Sequence, residues 1–123
     1  MPIHISGTGS FIPKNKVDNN SFSDKLFFDK DGNEYPNSND EIIEKFQTIT
    51  GIKERRYSNK EHKTSDLATF AAQNAIEDAG IDKETIDYII VAHNFGDIEY
   101  GTNQYIALPS VATMVKHKLN ILN

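Results

Sequence analysis

Cysteine is absent from this chain of 123 residues. Its absence excludes disulfide bonds, thiolate metal ligands and a cysteine nucleophile supplied by these residues. Long apolar runs are lacking too, and no segment has the pattern of a secretory signal or a membrane span. We therefore expect a cytoplasmic protein without a membrane partner.

Positive charge is also scarce. Lysine and arginine together number 13 against 18 acidic residues, which gives a formal net charge of -5. The only arginines are the neighbours Arg55 and Arg56. Because binding to a phosphate backbone requires a basic face, the composition predicts no nucleic-acid partner.

The strongest local pattern is a helix that leads into an apolar stretch. Residues 65–79 carry small apolar side chains at helical spacing, and most of them are alanine. Ser65 is suited to cap this helix and Gly80 to end it. Residues 88–92 are apolar without alternation, which is typical of a strand buried on both faces. The order strand, helix, strand then predicts a parallel sheet with a right-handed crossover.

The other elements are marked less strongly. The patterns predict a strand at 3–6, a short helix from Phe22, a helix from Glu41 to about Thr50 capped by Asp40, an exposed strand at 52–57 and a helix at 111–119. Residues 29–39 are polar and rich in turn formers, which predicts a surface insertion. A further strand is expected to begin near Ile121. The chain is therefore interpreted as an incomplete domain over residues 1–123 of a longer α/β protein.

The loop after residues 88–92 is the candidate site that the residues themselves indicate. His93, Asn94 and Asp97 follow the predicted strand directly. In open α/β sheets ligands bind beyond the carboxyl ends of the strands, and long loops in compact domains often carry function. We predict that this loop contacts substrate, and we predict no metal site.

Five segments resemble, in this order, the N-terminal portion of β-ketoacyl-acyl carrier protein synthase III enzymes: GTGSFIPKNKVDN, ITGIKERRY, TSDLATFAAQNAIEDAGI, IDYIIVAHN and LPSVATMVKHKLNI. The resemblance covers nearly the whole chain. It implies a thiolase-like αβαβα layered fold, with a mixed sheet and a buried central helix, in a homodimer. It also implies an acyltransferase that condenses an acyl thioester with a malonyl thioester. The substrates would be thioesters of coenzyme A or acyl carrier protein, with no separate cofactor.

The resemblance does not supply catalytic residues to this chain. The family's nucleophile is a cysteine, and the histidines present here match none of the family's catalytic positions, so the catalytic set is predicted to be empty. A tryptophan and an arginine that hold the adenine in the family correspond to Lys45 and Ile49. This difference argues against ordinary coenzyme A recognition and favours a carrier-bound substrate. Leu108 resembles the position that lines the partner subunit's acyl pocket.

Two interpretations of function remain open at this point. The first is the N-terminal portion of a synthase III-like acyltransferase, for which we expect the 123-residue chain to be inactive alone. The second is a non-catalytic α/β binding or assembly domain. The nucleotide sequence after Asn123 separates them, because the first requires an in-frame continuation to a strand and a cysteine.

Overall fold

The computed structural model describes residues 2–123, which divide into two compact units. We call residues 13–58 the ribbon unit and residues 2–12 with 59–123 the helical unit. The ribbon unit contains β1 (Asn15–Asp18), a 3-10 helix (Asn19–Phe22), α1 (Asn39–Thr50) and β2 (Glu54–Tyr57). The helical unit contains α2 (Thr64–Ala79), a 3-10 helix (Lys83–Thr85), β3 (Asp97–Ile98), β4 (Tyr105–Ile106) and α3 (Val111–Lys118).

In the ribbon unit, β1 and β2 form an antiparallel pair, and helix α1 contacts the 3-10 helix that follows β1. The Ser38 hydroxyl accepts a hydrogen bond from the Glu41 N–H, and Gly51 ends the helix with φ 69°. The cap predicted at Asp40 is wrong, because Asp40 lies inside the first turn, where its charge suits the positive end of the helix. The predicted helix end and the predicted exposed strand after it are confirmed.

Half-buried aromatic side chains pack together in the ribbon unit. Phe46 of α1 contacts Phe22 and Phe27 edge to face, with ring centroids 5.8 and 5.6 Å apart. The helix predicted from Phe22 is wrong, since only the 3-10 helix forms and it ends at that residue. Asp18 caps this short helix by accepting from the Ser21 N–H at 3.0 Å.

The predicted insertion at 29–39 contains a self-contained surface turn. Asp29 Oδ1 accepts hydrogen bonds from the N–H groups of Asp31 and Asn33, each at 2.9 Å. Gly32 provides the positive φ of 83° that the turn needs. The hydrogen bond from the Asn33 backbone is the main cause that holds the pKa of Asp29 below its ordinary value.

Helix α2 begins and ends close to the predicted residues. The Lys63 N–H donates to Asp66 Oδ2 at 2.8 Å, and Gly80 ends the helix with φ 63°. The cap predicted at Ser65 is wrong, because Ser65 lies in the first turn and its side chain bonds elsewhere.

Alanine allows α2 to be approached closely on two sides. Ala68 and Ala72 pack against the apolar core of the helical unit. On another side, a Cβ atom on Gly7 would lie 2.6 Å from the Ala75 carbonyl oxygen, and one on Gly9 would overlap the Ala75 backbone. Only glycine permits this contact between the N-terminal segment and the helix.

The N-terminal segment follows α2 instead of forming the strand predicted at 3–6. The Thr8 N–H donates to Asp78 Oδ2 at 2.8 Å, and Asn74 Nδ2 donates to the Ser10 carbonyl oxygen at 2.8 Å. These bonds lead to a helix surface, and no described strand lies alongside the segment. The prediction of a strand here is therefore wrong.

The core of the helical unit forms where α3 meets α2. Four apolar residues are buried there, namely Val111, Val115, Leu119 and Ile121. Ser110 caps α3 by accepting from the Thr113 N–H at 3.2 Å, and the last turn is basic, as the sequence predicts. The helix pattern of this segment is confirmed.

The residues after α3 are held by the second 3-10 helix. Lys83 Nζ donates to the Leu119 carbonyl oxygen at 2.9 Å, and Glu84 accepts from the Leu122 N–H at 3.0 Å. The strand predicted to begin near Ile121 is not formed, because side chains take up these backbone groups in place of a neighbouring strand.

The predicted central strand at 88–92 is also wrong for the described chain. Ile89 and Val91 pack against the core, whereas Tyr88 and Ile90 are 86% and 93% exposed. The backbone of this segment makes no hydrogen bond to the other described residues. Helices cover one face of this segment. An apolar strand of this kind also needs cover on its other face and neighbouring strands on both sides, and residues 2–123 form neither.

The described chain belongs to the mixed α/β class, with three α-helices and two small antiparallel sheets. The predicted parallel crossover is not formed within residues 2–123, because residues 88–92 are not a strand there and both described sheets are antiparallel pairs. Within residues 2–123, no helix combines the length and apolar character needed to cross a bilayer.

Candidate functional site

A buried polar cluster joins the first turn of α2 to β3. Ser65 is completely buried and Asp97 is 2% exposed. The Ser65 N–H donates to Asp97 Oδ1 at 2.7 Å, and the Ser65 hydroxyl donates to Asp97 Oδ2 at 2.6 Å. Both carboxylate oxygens are therefore held by one residue at the positive end of a helix, where negative charge is stabilised.

The cluster continues to the last turn of α3. Lys118 Nζ donates to the Ser65 hydroxyl at 2.8 Å and to Asp66 Oδ1 at 2.5 Å. Burial alone would raise the pKa of Asp66, but the hydrogen bonds from Lys118 and the Lys63 N–H, with the nearby positive charge, hold it below its ordinary value. We call Ser65, Asp66, Asp97 and Lys118 the anchor network.

The anchor network includes a serine beside a lysine, a pair that can form a nucleophile and its base. Two features exclude that role here. Ser65 has no exposed surface for a substrate carbonyl to reach, and its hydroxyl donates to Asp97 while Lys118 Nζ donates to the Ser65 hydroxyl and to Asp66. The network therefore fixes the backbone and does not attack a substrate.

Two more hydrogen bonds hold the loop in front of β3. The Thr64 hydroxyl donates to the Gly96 carbonyl oxygen at 2.6 Å, and the Gly96 N–H donates to His93 Nδ1 at 2.8 Å. His93 itself is exposed. Its Nδ1 is occupied as an acceptor, so only Nε2 remains to meet a ligand.

The other predicted residues of the helical unit lie on the surface. Asn94 is exposed and contacts no other described side chain by a hydrogen bond. Leu108 is 84% exposed and precedes Pro109 through a cis peptide bond. We call residues 93–108, which include the hairpin, the β3–β4 loop. Its two arms are the segment before β3, with His93 and Asn94, and the segment after β4, with Leu108, and a partner molecule can reach these three exposed side chains.

The remaining predicted residues, Lys45 and Ile49, belong to the ribbon unit. They line a groove of about 260 Å³ whose other walls are mainly aromatic and apolar: Phe27, Phe28, Tyr35, Ile42 and Phe46. Ile49 is 79% exposed, and Lys45 is also exposed. The groove therefore offers an apolar surface with one cation.

Arg55 contacts two aromatic rings of the ribbon unit, and one of them, Phe46, lines this groove. Its guanidinium lies 5.7 Å from the Phe22 ring centroid and 5.9 Å from that of Phe46. It also donates to Asn19 Oδ1 at 2.6 Å, and Asn19 is buried. These contacts fix the Phe46 ring that forms one wall of the groove.

The anchor network was only partly visible in the sequence. Asp97 is a candidate because it follows the apolar stretch, but the sequence patterns predict only a helix cap at Ser65 and a helix-end cation at Lys118. Their contact joins residues 53 positions apart. The sequence signal that could have indicated the anchor network is a serine and an aspartate in the first turn of α2 together with a lysine in the last turn of α3. Across residues 2–123, no three histidine or acidic side chains are grouped to hold a metal ion.

Comparison with curated proteins identifies the relatives of this chain. It is 40% identical over 119 residues to a β-ketoacyl-acyl carrier protein synthase III of Neisseria meningitidis serogroup C, covering 97% of this chain and 31% of the relative. The Staphylococcus epidermidis protein of the same name matches with the same identity and coverage. The chain is a relative of the β-ketoacyl-acyl carrier protein synthase III enzymes. The predicted family resemblance is thereby confirmed.

The match also defines how much of such a protein is present. The Staphylococcus saprophyticus synthase III is 36% identical over 121 residues, which are 98% of this chain and 32% of the relative. The chain thus spans about a third of the length of the curated relatives it matches. This agrees with the predicted resemblance to the N-terminal portion of a synthase III. No protein-family model matches the chain.

Proposed function

We propose that this chain forms the N-terminal portion of an acyltransferase that condenses an acyl thioester with a malonyl thioester in fatty-acid or polyketide-type synthesis. The observation that carries the proposal is the 40% identity to synthase III enzymes over 97% of the chain. In the complete enzyme the described elements would become part of a thiolase-like layered fold with α2 buried at its centre. The apolar residues at 88–92 support this, since they are suited to burial on both faces.

The composition of this chain indicates which part of the complete enzyme would supply the nucleophile and which part would bind substrate. Acyl transfer of this type uses a thiolate nucleophile, and this chain contains no cysteine. The nucleophile and the groups that activate it would therefore come from the other two thirds of the enzyme. The present residues would bind and orient the thioester substrates.

The groove of the ribbon unit is the proposed contact for the thioester carrier. Its aromatic and aliphatic walls suit the apolar part of a carrier arm, and the exposed Lys45 ammonium suits a phosphate. Ile49 lies on the same groove. This surface has no arginine and tryptophan pair for an adenine, which supports a substrate carried on acyl carrier protein over free coenzyme A.

The β3–β4 loop is the proposed contact for the acyl chain. His93 and Asn94 precede the hairpin and Leu108 follows it, and all three are exposed. In the proposed homodimer Leu108 would line the acyl pocket of the partner subunit. Its 84% exposure in the described chain supports a side chain that is covered by another molecule.

The proposal is tested by restoring a complete enzyme. In a joined enzyme, this chain replaces the corresponding third of the Staphylococcus epidermidis synthase III, and condensation is measured with acyl and malonyl thioesters. Activity within about tenfold of the parent would support the proposal. If the joined enzyme folds and dimerises but does not condense substrates, the alternative of a non-catalytic binding or assembly domain is favoured.

A further inference from the structure

Asp97 attaches the β3–β4 loop to α2 at the base of the hairpin, where the two arms of the loop pair with each other. Asp97 lies directly opposite Ile106 in the hairpin register. Three and four residues before Asp97 are Asn94 and His93, and two residues after Ile106 is Leu108. The exposed side chains proposed to contact the acyl thioester therefore lie within four residues of Asp97 or of its pairing partner Ile106.

The hairpin itself is too small to define its own position. Strands β3 and β4 contain two residues each, and an isolated two-stranded hairpin is at best marginally stable in water. The Glu99–Gln104 connection is exposed throughout, and its internal hydrogen bonds are local ones around Thr102. The loop is therefore held from outside by hydrogen bonds from Thr64 to the Gly96 carbonyl oxygen and from Ser65 to Asp97. The Tyr100 ring adds one contact, with Lys60 Nζ 4.9 Å from its centroid. Of these groups, Asp97 is the buried one with two hydrogen bonds from α2.

The anchor network makes this attachment rigid. Asp97 accepts both hydrogen bonds that Ser65 can donate, one from its N–H and one from its hydroxyl. The same hydroxyl oxygen accepts a hydrogen bond from Lys118 Nζ. The lysine is in turn held by Asp66 at 2.5 Å. Because each group is buried or partly buried and each is satisfied, loss of one leaves the others with an unpaired polar atom.

We propose that Asp97 is a positioning residue for the acyl thioester site, acting through Ser65 and Lys118 to fix both arms of the β3–β4 loop. This inference rests on the proposed function, because it assigns the loop to substrate. Asp97 does not touch the substrate. It keeps Leu108 and His93 in the places from which they can.

The first test measures the loop without using activity. Asp97→Asn keeps the side-chain shape but removes the charge and one acceptor, and Asp87→Asn is the matched control because Asp87 is exposed and makes no hydrogen bond within residues 2–123. In the joined enzyme, amide hydrogen exchange of residues 98–106 should accelerate by about tenfold or more in Asp97→Asn, while α1 remains unchanged. Equal exchange in Asp97→Asn and Asp87→Asn would overturn the inference.

The second test separates positioning from general stability in the joined enzyme. Asp97→Asn should raise KM for the acyl thioester by about tenfold and leave kcat within about twofold, because binding geometry is lost while the nucleophile is intact. A faster-exchanging loop with unchanged KM would overturn the substrate role but leave the proposed function in place. An inactive unsubstituted joined enzyme would contradict the proposed function and, with it, this substrate role.

A milder variant covers the case in which Asp97→Asn fails to fold. Ser65→Ala removes the hydroxyl bonds to Asp97 and Lys118 but keeps the backbone N–H bond to Asp97. It should show the same pattern of loop exchange and raised KM to a smaller degree. Unchanged exchange and KM in this folded variant would contradict the inference.

Discussion

Single residues in this chain combine structural and proposed substrate roles. The place of Asp97 after an apolar stretch predicts a site residue, and the structure buries its carboxylate in the anchor network. His93, Asn94 and Leu108 lie outside that anchor, on the surface. The sequence could indicate the loop but not this distinction, because Ser65 and Lys118 reach Asp97 only in the folded chain.

Asp66 is expected to make the free energy of unfolding depend on pH in the acidic range. Its folded pKa lies below the ordinary value of 3.8, so its ionised form contributes stability that is present above that value and is lost as pH falls through the folded pKa. Asp66→Asn should therefore lower the free energy of unfolding at neutral pH and reduce its further decline between about pH 5 and about pH 2.

Urea denaturation of the joined enzyme across that pH range provides the measurement. Asp87→Asn serves as the control, since Asp87 is an exposed aspartate without a hydrogen bond in residues 2–123. If Asp66→Asn and the unsubstituted joined enzyme lose stability in parallel on acidification, the ion pair with Lys118 does not contribute.

Leu108 is expected to set acyl-chain length if it lines the partner's pocket. Leu108→Phe adds volume to a pocket wall and should shift the joined enzyme toward shorter acyl thioesters. Product chain lengths measured by mass spectrometry check this, with the exposed Tyr100→Phe as a control on the same loop. An unchanged product profile would remove Leu108 from the acyl site.

At the scale of elements, local sequence signals predict the α-helices correctly, whereas the strands depend on tertiary contacts. Helices α1 and α2 were predicted within a few residues because apolar spacing and the glycines Gly51 and Gly80 act locally. The strands at 3–6 and 88–92 were predicted wrongly, because a strand forms only when a neighbour supplies hydrogen bonds. Residues 2–123 supply none to either segment.

Helix α2 is expected to be sensitive to size on its buried side. Ala72 packs against the core, so Ala72→Leu should overpack it and lower the free energy of unfolding by roughly 1–3 kcal/mol. Gln73→Leu, one residue along on the exposed side, should change it by less than about 0.5 kcal/mol. Thermal and urea unfolding of the joined enzyme check the pair, and equal effects would contradict the burial of Ala72.

At the scale of the whole molecule, large apolar side chains remain exposed. Ile3, Ile5, Tyr88, Ile90 and Leu122 are each more than four-fifths exposed in the helical unit. Extended apolar segments with free backbone groups favour pairing with other chains. We therefore expect the 123-residue chain to associate with itself or aggregate.

Size-exclusion chromatography with light scattering tests this expectation. The apparent mass should exceed that of a monomer and should rise with protein concentration. Ile90→Lys, which places a charge on the exposed side of residues 88–92, should reduce association without disturbing the packed face. A stable monomer with cooperative unfolding would show that these residues suffice for an independent domain.

The location of the acyl group in the joined enzyme tests the central claim most directly. After incubation with an acyl thioester, peptide mapping by mass spectrometry should find the adduct on a cysteine of the Staphylococcus epidermidis portion and none within residues 1–123, and the chain alone should carry no adduct because it has no thiol. A stable adduct on any residue of this chain would contradict the account.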